Sequence, residues 1–176
     1  MAAGFTFRAD STFQFFFTYG AADRSAIGTW KARGDTLFLK SRKEAGKDFK
    51  TVKESPKGNG YTLQISDPNP FLIDQIRCYV FWNGKKEIYQ SDKTGRIHIP
   101  LNQCDTLYLQ HPLFPDIATL IKDKNNKNRT FEVVLSPALS EVSFKNILFW
   151  KGPDGDLHCH PNYFMPMKNI RFQKSE

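Results

Sequence analysis

Cysteine is scarce in this chain, and long apolar runs are missing. Cys78, Cys104 and Cys159 are spread over 176 residues with no CxxC pair, which excludes a disulfide scaffold and a zinc knuckle. Their odd number allows one disulfide with a thiol left over, or three buried and inert thiols. No apolar stretch reaches the roughly 18–20 residues of a membrane-spanning helix. The 11 glycines are dispersed among turns rather than gathered into a phosphate-cradling loop. Asp92-Lys93-Thr94-Gly95 has no acidic ladder or terminal Glu after it, so it reads as a hairpin turn and not a calcium loop. Asp23-Arg24-Ser25 lacks the strand–turn–helix setting of a nucleophile elbow. Nothing in the sequence assigns a catalytic residue or a cofactor.

Acidic residues are also in deficit, 18 against 25 basic ones, for a net charge of +7. The excess lies in two stretches. Residues 40–57 hold seven cations, including Lys47, Lys50 and Lys53, against three acids, and residues 122–129 hold four against one. Both read as solvated loops and strand ends that discourage edge-to-edge pairing. A nucleic-acid partner is disfavoured, because basic stretches without a recognisable module carry little weight. Asn128-Arg129-Thr130 fits the glycosylation pattern, which matters only in a eukaryotic secretory setting.

Alternation of period two is abundant. Phe13, Phe15, Phe17 and Tyr19 share one face of a strand over 12–19, with Phe16 on the other. Further strands are expected over 5–8, 26–33, 36–39, 49–52, 61–65, 75–82, 86–91, 96–100, 105–110, 131–135, 142–150 and 167–172. Arg33-Gly34-Asp35, Asn83-Gly84 and 151–156 are turn sequences between them, Asn-Gly being the most diagnostic hairpin pair. Pro112 and Pro115 oppose a helix through 114–122. The expectation is an all-β chain, an antiparallel β-sandwich or barrel-like sheets, in two packed β units. Asp67-Pro68-Asn69-Pro70 is the candidate boundary, which divides the chain into 1–66 and 71–176 unless the two form one continuous fold. Most of the 16 phenylalanines occupy core-facing positions, and a barrel lined by them would have room for an apolar ligand.

Two segments resemble known families. Asp10-Ser11-Thr12-Phe13-Gln14-Phe15, Gly28-Thr29-Trp30 and Gly34-Asp35-Thr36-Leu37-Phe38-Leu39 resemble lipocalin-like small β-proteins of bacterial envelopes. The resemblance implies a β-meander over 1–66, with Trp30 plugging one end of a curved sheet. Residues 78–111 are similar to the transthyretin-like (carboxypeptidase-regulatory-like) sandwich. The similarity rests on Asn83-Gly84-Lys85, on 91–99 and on Cys104-Asp105-Thr106-Leu107-Tyr108-Leu109. It implies a sandwich over 71–176 and an accessory or binding role, with no catalytic residues to transfer.

Leu157-His158-Cys159-His160-Pro161 is the one segment with metal-ligand spacing. On a strand, His158 and His160 share a side about 7 Å apart while Cys159 faces away. A third ligand would have to come from His98, His111 or a carboxylate. Solvent-facing histidines are the preferred reading, so no metal is expected, with His158 and His160 as the alternative.

The leading functional reading is a non-enzymatic extracytoplasmic binding or interaction module for a protein or small-molecule ligand. The alternatives are a carrier of a small hydrophobic ligand in a Phe-lined cavity and a metal-dependent hydrolase using His158 and His160. Met1-Ala2-Ala3-Gly4-Phe5 is not a signal peptide. An extracytoplasmic location therefore requires that a leader has been trimmed, and the alternative is the cytoplasm.

Overall fold

The structure, a computed structural model, describes residues 2–20 and 22–174. Its strands are β1 (Ala2–Phe7), β2 (Thr12–Tyr19), β3 (Ala22–Arg33), β4 (Thr36–Ser41), β5 (Phe49–Ser55), β6 (Tyr61–Ser66), β7 (Arg77–Trp82) and β8 (Lys85–Gln90). They continue as β9 (Arg96–Ile99), β10 (Thr106–Gln110), β11 (Thr119–Lys122), β12 (Thr130–Leu135), β13 (Phe149–Lys151), β14 (Leu157–Cys159) and β15 (Ile170–Phe172). The fold is all-β, with one single-turn 3-10 segment at Pro70–Leu72 among the described residues. Among the described residues no helix is long and apolar enough to cross a membrane.

The chain forms two compact units, and the second is inserted into the first. Unit 1 comprises Met1–Ala45 and Ser140–Glu176, and unit 2 comprises Gly46–Leu139. The expected boundary at Asp67–Pro70 falls inside unit 2. There Asn69 caps the 3-10 turn by accepting a hydrogen bond from the Phe71 amide at 3.1 Å. The prolines stiffen a turn within the sandwich rather than a linker between units.

Unit 1 is one antiparallel sheet of order β1-β2-β3-β4-β13-β14-β15, nearly closed like a barrel. β4 pairs directly with β13 (Phe149↔Leu37), so the meander resumes across the whole insertion. At the seam, Phe5 of β1 meets Phe172 of β15 with ring centroids 4.9 Å apart. Phe13, Phe15 and Phe17 point inward and are buried, while Phe16 and Tyr19 are exposed. Phe16 lies over Gly4 on the outer face. Trp30 is half-buried near the β1–β2 turn, edge-on to Phe7 and donating to the Arg8 carbonyl at 3.2 Å.

The strand expected over 142–150 is only β13. Phe144 (φ 49°) and Asn146 (φ 61°) adopt left-handed backbone, which no ladder accommodates. The segment leaves the sheet and drives Phe144 into the barrel, 1% exposed, with its ring against Phe5, Phe13, Phe15, Phe149 and Phe164. The returning chain is anchored by buried cations: Arg24 donates to the Ser140 and Glu141 carbonyls, and Lys43 to the Glu141 carbonyl at 2.7 Å.

Unit 2 is a sandwich of two four-stranded sheets, β11-β10-β7-β8 and β5-β12-β6-β9. All its pairs are antiparallel except β12 with β6. Alternate residues of both sheets, among them Leu63, Ile65, Cys78, Val80, Leu107 and Val133, form one fully buried core. Asn83 (φ 45°) and Gly84 (φ 72°) make the β7–β8 hairpin with both central residues left-handed, as a type I′ turn requires. Asp92–Gly95 instead carries the chain from one sheet to the other, since β9 pairs with β6 and not with β8. β11, absent from the sequence reading, is a four-residue edge strand following the prolines. Two cations expected in solvated loops, Lys43 and Lys122, are buried; Lys122 Nζ donates to the Cys104 and Asp123 carbonyls, both at 3.0 Å.

Candidate binding site

β7 and β10 alternate strictly. Cys78, Val80, Leu107 and Leu109 are fully buried in the sandwich core, so Tyr79, Phe81, Thr106, Tyr108 and Gln110 occupy the opposite, outer face. Register extends this face across all four strands. Leu120 pairs with Tyr108, Tyr108 with Tyr79, and Tyr79 with Ile88, forming one apolar row. Thr106, Phe81 and Lys86 form the next row, and Gln110, Arg77 and Gln90 the third. Phe81, Ile88 and Leu120 are 37%, 56% and 48% exposed, so apolar surface faces water on an uncovered sheet.

The face is shaped by the segment before β11. Tyr79 donates to Gln110 Oε1 at 2.8 Å, and Gln110 Nε2 donates to the Asp116 carbonyl at 2.7 Å. Asp116 itself is buried and accepts from the Ile117 amide at 2.7 Å. Ile117 and Ala118 are thereby held as a wall beside the sheet. The result is a groove of about 600 Å³ lined by Tyr79, Phe81, Lys86, Thr106, Tyr108, Gln110, Ile117 and Ala118. Phe81 and Tyr108 meet edge-to-face, centroids 5.9 Å apart. Lys86 Nζ lies 4.5 Å from the Tyr79 ring centre and 5.9 Å from that of Phe81, a cation–π placement.

Among the described residues no carboxylate, imidazole or thiol lines this groove. Glu87, next to Lys86 in sequence, lies on the other face, opposite the core-facing Val80. It accepts from Trp82 Nε1 at 3.0 Å and the Tyr89 hydroxyl at 2.7 Å, bonds that hold its carboxyl below the usual range. The groove can therefore stack, hydrogen-bond and attract negative charge.

His158 and His160 lie in unit 1 on a different pocket of about 630 Å³, beside Trp150, Lys168 and Arg171. Trp150 is directly opposite His158 in register. Its ring stacks on His158 at 6.0 Å and meets His160 at 4.7 Å, so both imidazoles share one side while Cys159 is buried on the other. His158 Nε2 is 3.1 Å from Asp154 Oδ1. That bond, the Asp156 amide and the Arg171 charge keep the Asp154 carboxyl below the ordinary carboxylate value. Arg171 is shared between Asp154 and Asp156, at 3.8 and 3.3 Å. His98 and His111, expected as sources of a third ligand, belong to unit 2. His111 is buried, with Nε2 3.0 Å from the Leu72 carbonyl. Among the described residues no three His, Cys, Asp or Glu side chains are grouped to hold a metal ion.

The three cysteines are free thiols. Burial pushes Cys78 and Cys159 up to about 12 and raises Cys104 as well, which keeps them protonated and inert. In unit 1, Phe5, Phe13, Phe15, Phe149 and Phe164 pack around Phe144. A smaller apolar pocket of about 380 Å³ lies at the seam, beside Ala3, Phe17, Met165 and Met167.

The groove was not singled out by sequence reasoning. Its signal was present in 77–81 and 106–110, where one face is apolar throughout and the other carries aromatics. Such a strand is either buried on both sides or exposes rings on purpose, and periodicity alone does not distinguish the two. Comparison with protein-family models, with curated proteins and with solved structures gave no match.

Proposed function

We propose that the chain is a non-enzymatic extracytoplasmic binding module in which unit 2 carries the ligand surface. The observation behind this reading is the ring-lined groove between the β7/β10 face and the Ile117–Ala118 wall. Its volume lies within the roughly 300–1,000 Å³ typical of small-molecule sites, and it combines aromatic faces with a few fixed polar groups. In this reading unit 2 acts as a transthyretin-like accessory sandwich. Unit 1 is a lipocalin-like meander whose interior is filled by its own rings, and it serves as the scaffold.

The test is a fragment screen on the full chain by backbone and aromatic NMR, using mixed monosaccharides, aromatic acids and short peptides. Shifts gathered at Tyr79, Phe81, Thr106 and Tyr108 are the expected result. Shifts scattered over the surface, or gathered at Trp150 and His160, refute the assignment. Fractionation of cells expressing the complete gene product tests the location.

A further inference from the structure

Resting on the reading above, we infer that the groove is a subsite for an acidic oligosaccharide, a chain of uronic-acid-type sugars. A pyranose ring has an apolar C–H face and an equatorial belt of hydroxyls. It therefore needs an aromatic surface flanked by hydrogen-bonding groups. The outer face offers both. Phe81 and Tyr108 present ring surface in the groove. Tyr108 and Thr106 line it, and neither side-chain hydroxyl makes a hydrogen bond among the described residues. Gln110, by contrast, is held in place by Tyr79 and the Asp116 carbonyl, so its position is set before any ligand arrives.

Charge decides between a neutral and an acidic sugar. Among the described residues Lys86 is the only charged one lining the groove, and no carboxylate lines it. Its ammonium rests over the Tyr79 and Phe81 rings. A ligand carboxylate can draw it off without breaking an ion pair. Arg77, in the third row of the same face, provides a second cation along the strand direction for a longer chain. Arg171 in the Trp150 pocket is less available, because Asp154 and Asp156 already share its charge. Two cations on a broad apolar face are too few for a polyphosphate track, whose affinity grows with each phosphate neutralised. They suit a polymer with one carboxylate per ring. An acidic peptide docking along Leu120 and Ile88 is the competing occupant, and the test separates the two.

The probes are trigalacturonate, hyaluronan tetrasaccharide and alginate trisaccharide, each with its methyl ester, titrated into the full chain by calorimetry and NMR. At least one acid is expected to bind with shifts at Phe81, Thr106 and Tyr108, and its ester to bind about tenfold more weakly, the worth of one charge-assisted hydrogen bond. Lys86→Gln should weaken the acid about tenfold and leave the ester unchanged, while Tyr108→Phe weakens both. Lys86 is exposed, so the first variant keeps the fold. Equal binding of acid and ester overturns the charge argument. If none of the three acids binds while fragments or an acidic apolar peptide still gather in the groove, the saccharide inference fails and the binding-module reading stands. If fragments scatter as well, both fail.

Discussion

Phe144 sits among the buried rings of the unit 1 core. It is 1% exposed, its ring lies 5.0–5.7 Å from five other phenylalanine rings, and its φ is 49°. Phe144→Ala removes the ring from a packed centre at a cost of about 4 kcal/mol. That is a large share of the roughly 5–15 kcal/mol that holds a domain folded. Phe144→Gly removes the same ring but also relieves the left-handed backbone, which costs an L-residue roughly 1–2 kcal/mol. The entropy that glycine adds to the unfolded chain returns only about 0.4–1 kcal/mol of that gain. The glycine variant should therefore be more stable than the alanine variant, by about 0.8 kcal/mol at the middle of both ranges, the reverse of their usual order. Guanidinium denaturation in a Trp82→Phe background reads this out, since Trp30 and Trp150 both then report unit 1. A loss below about 1 kcal/mol for Phe144→Ala contradicts the expected core penalty and refutes the central position of the ring. Alanine outranking glycine refutes the strained backbone.

Gly28→Ala should cost about 1–3 kcal/mol in the same denaturation assay, the usual penalty of overpacking. The added Cβ would collide with the Lys40 carbonyl and the Phe13 ring. None of the three thiols should react rapidly with a water-soluble disulfide reagent at neutral pH in the native protein, and all three should react in denaturant; a fast native thiol contradicts the burial of Cys78, Cys104 and Cys159. Acid should destabilise the fold. Asp10, Asp92 and Asp123 have folded pKa values lowered by hydrogen bonds from the residues of or just after their own turns, and that of Asp154 is lowered first by the His158 side chain on β14 and then by the Asp156 amide. Their contribution is present above the unfolded carboxylate pKa and is lost as pH falls through the folded values. Thermal midpoints measured downward from neutral pH should fall once the carboxylate range is entered, and a midpoint that rises there contradicts the assignment.

Local features follow from the order of residues alone. Alternation sorted Phe13, Phe15 and Phe17 from Phe16 because side chains on a strand change face at every residue. Asn83-Gly84 specified its hairpin because few other pairs accept left-handed backbone twice. Burial of the three cysteines was one of two open readings, and the packing around them chose it. Non-local features come from packing in three dimensions. The insertion of unit 2 depends on β4 pairing with β13 across more than a hundred residues of intervening chain, and no residue near Ala45 or Ser140 encodes a partner that distant. The departure of Phe144 from its expected strand follows from the space inside a barrel, which a one-dimensional pattern does not contain. The candidate groove arises in the same way. Tyr79 and Tyr108 are 29 positions apart, and they become neighbours through register, while the wall beside them stands because a buried aspartate holds Ile117. Strand periodicity says which residues face away from a core, and only the packing of the other elements says whether that outer face is covered or left open to bind.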